Sequence, residues 1–392
     1  MHKEFLDHFH IHHLSEITLL YITMAIRSFA LSTIGLFIPL ILLNMDRSIF
    51  EVLLYQSTFP VLAFLIFSVS GNLISRIGIK HTMLISIPFF ITHLLLINSI
   101  QTYNWPILLL SVSGALASGL FWFAFHTDFA KSTSQKKRGS QVGILHSLMM
   151  AISIVGPLVG GVILTLFEAQ ILIFLNIIFI ILSAIPLLLS KDVQVPIHIS
   201  RRDILYTTTK KQRVSFIAEG IRSYSAVIFW PIFLFILQMS FAVIGSIYTV
   251  VRTVNTVTSY FTGKYLDKHN AKKMLKVGTV IDSISLFFRG LIPISALTVT
   301  SITSLGGIGF TLLHNSYSKI WYDKAHVQGP KFILSREFYL EIGRSGIAFF
   351  GLLLLLVFDI FFALSLIQAI TIMCVTIFIF GGISALIMNY ID

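Results

Sequence analysis

Two arginines sit where charge is costly. Arg27 lies eleven residues into a long apolar run, and Arg222 lies nine residues into another. At that depth a guanidinium needs a partner, water or a protein wall. Its planar fork binds a carboxylate or phosphate bidentately, so two arginines facing one space would form an anion site. The alternative is structural: ion pairs with Glu16 or Glu219, or side chains reaching back to the membrane surface. Glu219 precedes Arg222 by three residues, about one helical turn. It reads first as the permanent partner of Arg222 and second as the carrier of a coupling proton. Arg252 lies in a further apolar run and is a third cation able to reach a cavity. Asp282 and Arg289, seven apart, read as a structural tie, and Glu341 and Arg344 as a pair.

His126 and His314 occupy matching ends of two apolar runs. The plainer reading is a hydrogen bond across a gate; the other is a protonation switch, because imidazole titrates near neutral pH. Trp122, Phe123, Phe125, Phe229, Trp230, Phe310 and Tyr317 would wall a cavity or fill ordinary packing. Near the N-terminus, His8 and His12 stand four apart, a spacing open to a metal. An interfacial amphipathic helix is the expected role there, and no metal site is predicted.

The elements that must hold these residues are membrane helices. Of 392 residues, 56% are hydrophobic and only 11% charged, which excludes a soluble globular domain. Apolar runs cover 17–43, 52–70, 82–100, 105–125, 142–167 and 169–189, then 214–239, 241–262, 277–296, 299–322, 342–357 and 360–390. That is six plus six, with the least marked break at 291–299. The net charge of +11 comes from lysines and arginines gathered on one side of these runs. The positive-inside rule therefore explains it better than nucleic-acid binding, and it puts both termini in the cytoplasm. The single cysteine, Cys374, lies in an apolar run and offers neither a disulfide nor a thiolate metal site. The polar stretch 191–213 links the halves 1–190 and 214–392. Within it, Arg201–Tyr206 has an amphipathic pattern suited to the membrane surface.

Two basic turns punctuate the chain. Gly71-Asn72-Leu73-Ile74-Ser75-Arg76-Ile77-Gly78-Ile79-Lys80 recurs as Gly263-Lys264-Tyr265-Leu266-Asp267-Lys268-His269-Asn270-Ala271-Lys272, 192 positions on. Arg27 and Arg222 are offset by 195, and His126 and His314 by 188. Three pairs thus agree on one duplication. Each half holds an even number of runs, so the repeats are parallel, related by an axis along the membrane normal.

With these features the chain resembles transporters of the major facilitator superfamily. That family's loop signature, G-x-L-x-D-R-x-G-R-K, is matched at Gly71, Leu73, Arg76, Gly78 and Lys80. Ser75 stands for the aspartate and Ile79 for an arginine; the second turn keeps Gly263, Asp267, Lys268 and Lys272. The resemblance implies an all-α membrane protein of twelve transmembrane helices in two pseudo-symmetric six-helix bundles. It also implies that the basic turns latch the two halves, with Ser75 or Asp267 capping a helix of the opposite half; the serine latch would be the weaker. Otherwise these turns only set topology. Gly156-Pro157-Leu158-Val159-Gly160-Gly161 resembles the G-P-x-x-G-G element of the family's drug exporters, with Gly143 in place and Ile152 where a glycine is expected. Gly156, Pro157, Gly160 and Gly161 would bend the helix for gating or pack it closely on a neighbour.

No phosphate-binding loop, nucleophile elbow or metal-protease pattern occurs, so neither an enzyme nor a cofactor is expected. The sequence reads as a secondary transporter of a small molecule in a prokaryotic inner or plasma membrane, acting as a monomer. The first expectation is efflux by antiport, with protons as the coupling ion. The second is exchange or import of an anionic solute through Arg27 and Arg222, and the third is a transporter-like sensor that moves nothing.

Overall fold

In a computed structural model, the protein is described over residues 15–132, 138–196, 200–266, 270–291, 295–362 and 364–391. Helices stand at all twelve apolar runs. The first six are α1 (Glu16–Ile34, continued as Ile38–Asn44), α2 (Ile49–Ile77), α3 (Ile79–Asn98), α4 (Ile107–Ser132), α5 (Arg138–Ile152, continued as Gly156–Leu166) and α6 (Ala169–Leu182, continued as Ala184–Leu189). The second six are α7 (Lys210–Tyr224, through a π turn at Ser225–Phe229 into Trp230–Ile236), α8 (Phe241–Leu266), α9 (Ala271–Phe288), α10 (Ala296–Gln328), α11 (Pro330–Phe361) and α12 (Leu366–Ile387). No strand occurs among the described residues. Among the described residues, ten helices are long and apolar enough to cross a membrane. The exceptions are α8 and α9, which carry Arg252 and Asn255, and Lys272, Lys273, Lys276 and Asp282.

The helix breaks have one cause. Pro39, Pro157, Pro186 and Pro231 each lack the N–H that would bond the carbonyl four residues earlier. The chain departs from α geometry at Gly35–Phe37, Ser153–Val155, Ser183 and Ser225–Phe229, one turn before each proline. Helix starts are closed by capping boxes at Ser48/Glu51, Ser295/Thr298 and Ser365/Gln368. The break between α9 and α10 falls at the least marked boundary of the sequence, with α9 ending at Phe288 and α10 starting at Ala296.

Outward faces are apolar: Leu65, Phe174, Ile178, Phe349 and Ile379 are all exposed, as helices in hydrocarbon require. Between the first six helices and the last six, packing runs chiefly through α2 against α11 and α5 against α8. The broken ends of α1 and α7 also meet, and Phe37 lies edge-on to Phe241. The short helix Arg201–Tyr206 is tied to the helix bundle. It packs on α11, where Asp203 pairs with Lys331 at 3.0 Å and Tyr339 donates to the Leu205 carbonyl.

Candidate functional site

A cavity of about 310 Å³ opens between α1, α4, α5, α8 and α10. Leu31, Met149, Met150, Trp122 and Phe310 give it an apolar, polarisable wall. Ser28, Ser32 and Ser153 add hydroxyls, and Arg252 and His314 add ring and guanidine nitrogens. His314 stacks on Phe310 at 5.0 Å between ring centroids. Of the predicted aromatic wall, only Trp122 and Phe310 line this space. Phe123, Phe125, Phe229 and Tyr317 are core residues. Trp230 is wholly buried and donates its Nε1–H to Thr303 at 2.9 Å.

The arginines divide three ways. Arg222 does not pair with Glu219: its Nε and Nη2 donate to both carboxylate oxygens of Asp282 at 2.7 and 2.5 Å. Asp282 is fully buried and so is committed to Arg222 rather than to Arg289, which lies over Trp230. Glu219 turns the other way and accepts from Arg336 at 2.5 Å. The one-turn spacing of Glu219 and Arg222 left each side chain free to choose a neighbouring helix, and they chose different ones. Arg27 is 2% exposed, with its guanidinium 3.6 Å from the Phe121 ring centre and its Nε and Nη1 without hydrogen bonds. The two arginines therefore do not share one anion site. Arg252 is the arginine that lines the cavity, and it makes no ion pair among the described residues. Glu341 and Arg344 do pair, at 2.7 Å.

Contacts join the two sets of six helices on both sides of the cavity. Toward the basic turns, Tyr322 of α10 meets His126 Nδ1 of α4 at 3.3 Å and Phe64 of α2 meets Phe338 of α11; Ser345 donates to the Ser57 carbonyl, nearer the other end of α2. At the other end, the Ala242 N–H donates to Thr165 at 3.0 Å. In α5 the glycines face two ways. A Cβ on Gly156 or Gly160 would fall 1.9 Å from Ser32 Oγ or 2.0 Å from the Thr33 carbonyl oxygen of α1. A Cβ on Gly161 would fall 2.4 Å from the Phe241 carbonyl oxygen, and Gly245 of α8 faces Gly161 and Pro157. One turn of α5 is thus held backbone-to-backbone against both sets of helices, with Pro157 just inside its start.

The first basic turn is fastened to the stretch 191–196. Ser75 Oγ donates to the Gly71 carbonyl of its own helix at 3.0 Å and reaches the Val195 carbonyl at 3.1 Å. The Arg76 carbonyl accepts from Gln194, and the Ile79 N–H donates to the Val193 carbonyl. The start of α3 is capped by Asp192, which accepts from the Lys80 N–H at 2.8 Å, the His81 N–H at 3.2 Å and the His81 ring. Partial burial works to raise the Asp192 pKa, but these hydrogen bonds, with one from the Val193 N–H, outweigh it and hold the carboxyl below its ordinary value. Gly78, at φ 97°, lets the carboxylate in: a Cβ there would lie 2.2 Å from Asp192 Oδ2. Lys80 is not a solvated turn residue. It is buried, with Nζ 2.7 Å from Asp128 and 3.7 Å from Glu16.

In the second turn, Gly263 faces open space and the Lys272 N–H is capped by Asn270 at 2.8 Å. Asp267 and Lys268, like the N-terminal histidines, lie outside the described residues. Sequence reasoning passed over Asp128, Asp192 and Glu337. The first two lie far along the chain from Lys80 and the start of α3, which they meet only in the fold.

No curated protein sequence matches the chain. The Major Facilitator Superfamily model matches residues 20–330, from the first helix to the start of α11. Over most of its length, and with the helical architecture and central cavity just described, the chain belongs to the major facilitator superfamily, whose members carry small solutes across membranes.

Proposed function

We propose that the protein is an efflux antiporter that works by alternating access and takes a small solute with an apolar ring body and one acidic group. The observation that carries this is the cavity itself: methionine and aromatic walls with one guanidinium, Arg252, that makes no ion pair among the described residues. A charge-assisted hydrogen bond to Arg252 would replace the water a carboxylate leaves behind. The two halves, 1–190 and 214–392, rock about this space, joined by the linker 191–213. The G-P-x-x-G-G turn of α5 supports efflux, because it holds both halves at the height where α5 bends. The basic turns face the cytoplasm with both termini, in a prokaryotic inner or plasma membrane, and the monomer is the working unit.

A second reading, anion exchange or import, is favoured by the same Arg252 and by the unbonded nitrogens of Arg27. Purified protein in lipid vesicles separates these readings with 2-naphthoate and ethidium as probes, with and without a pH gradient. Antiport predicts 2-naphthoate movement that rises several-fold with the gradient. Exchange predicts movement only against internal anion. Movement of ethidium alone overturns the acidic-solute reading, and movement of neither probe favours a sensor.

A further inference from the structure

Five ionisable side chains of α7 and α11 gather in one buried cluster away from the cavity. Arg336 is held by Glu219 at 2.5 Å and by Glu337, and Arg344 is held by Glu341 at 2.7 Å. Glu337 and Glu341 lie one turn apart on a shared face of α11. Arg336, Glu337 and Glu341 are 5–6% exposed. Three carboxylates against two guanidiniums leave one negative charge in excess. Such a charge is expensive in a low-dielectric interior, and a proton cancels it. The bonding also leaves room for one: Glu219 Oε2 is buried without any hydrogen bond, as are the Nε atoms of Arg336 and Arg344.

Among the described residues no further cation pairs with these carboxylates; Arg213 of α7 turns to Tyr206 and Tyr339 instead. From α10 come Tyr317, whose hydroxyl bonds Ser215, and Tyr322, whose hydroxyl bonds His126 of α4. From α7 comes Tyr224, its ring 5.9 Å from the Arg344 guanidinium, with Tyr55 of α2 near it. The packed helix α12 offers only Cys374. Arg222 is spent on Asp282. A path in exists at Arg344, whose side chain is 32% exposed.

We propose that this cluster is a proton-binding site that exchanges one proton. It rests on the antiport reading to the extent that this proton is the coupling ion. The position suits that role. Beside the cluster, α11 packs on α2 through Phe338 and through Ser345, one turn after Glu341, and the Arg336 guanidinium lies 4.3 Å from the Trp321 ring centre, next to the Tyr322–His126 contact. Loss or gain of one charge here therefore acts beside the contacts that α10 and α11 make with α4 and α2.

The test needs no solute. Infrared difference spectra of the purified protein in lipid are recorded from about pH 5 to about pH 9, where buried carboxyls titrate. One protonated-carboxyl C=O band is expected to disappear across this range. It should be lost in at least one of Glu219→Gln, Glu337→Gln and Glu341→Gln, and moved rather than lost in the matching Asp variant, which also controls for folding. A parent protein with no titrating carboxyl band, or a band unchanged in all three glutamine variants, overturns the proposal. That failure falls on the cluster alone, whereas failure of the vesicle assay falls on the antiport reading.

Discussion

Arg222 and Asp282 form a two-pronged ion pair between α7 and α9, at 2.7 and 2.5 Å, with Asp282 wholly enclosed. The guanidinium is 4.3 Å from the Phe310 ring centre, just behind the cavity wall. Asp282→Ala would leave an enclosed cation alone, at a cost of about 3–5 kcal/mol. Thermal unfolding in detergent is expected to show a large drop in midpoint. The double variant Arg222→Leu/Asp282→Leu should recover much of it, since a well-packed apolar pair can replace a buried ion pair. Equal midpoints for parent and Asp282→Ala would show that the pair is not made.

Arg252→Ala removes the unpaired cation of the cavity. Loss of one charge-assisted hydrogen bond costs about 1.5–3 kcal/mol, which is roughly 10- to 100-fold in Kd for 2-naphthoate. Binding measured by calorimetry should fall by that factor. Arg252→Lys should lie between, because it keeps the charge and loses the fork.

Gly161→Ala and Gly245→Ala should destabilise by about 1–3 kcal/mol, because each added methyl meets backbone rather than a movable side chain. Gly263→Ala should be neutral or gain up to about 1 kcal/mol, since the residue is helical and its surroundings are open. Unfolding midpoints of the three variants give the comparison, and equal effects would contradict the close approach of α5 and α8.

The Asp192 cap carries a pH signature. Its folded-state pKa is depressed, so its contribution is present above the ordinary carboxyl value, about 3.9, and is lost as pH falls through the lowered folded value. Asp192→Asn cannot titrate. The midpoint difference between parent and variant should therefore be greatest near neutral pH and shrink below about pH 4. A difference independent of pH would assign the cap to packing instead. Gly78→Ala should cost about 1–2 kcal/mol from its positive φ alone, and more from the collision with Asp192.

The helices were legible because membrane spans announce themselves by length and hydropathy; their breaks were not, since Pro60 and Pro88 lie inside unbroken helices. The glycines of α5 were legible as close-packing residues for the same reason: few physical uses exist for Gly-Gly in an apolar run. Pairing was legible within one helix, as for Glu341 and Arg344, but not between helices. Arg222 and Asp282 are sixty positions apart, and only the rotation of α7 decides whether Arg222 meets Asp282 or the acid one turn away. Lys80 was misread because a lysine in a basic turn looks solvated until Asp128 and Glu16, brought by two other helices, close over it. The likeness of the turn to a latch between halves gave no sign of the Val195 carbonyl, which Ser75 meets across 120 positions of the chain.

Where Gly161 meets Gly245, neither helix presents a protrusion to the other. Side chains that interlock must disengage before two helices can shift, and that step sets a barrier. A seam of bare main chain has nothing to disengage, so α5 and α8 can slide past one another with little repacking. This part of the interface acts as a bearing, and the resistance to movement must reside elsewhere, in the side-chain contacts toward either end.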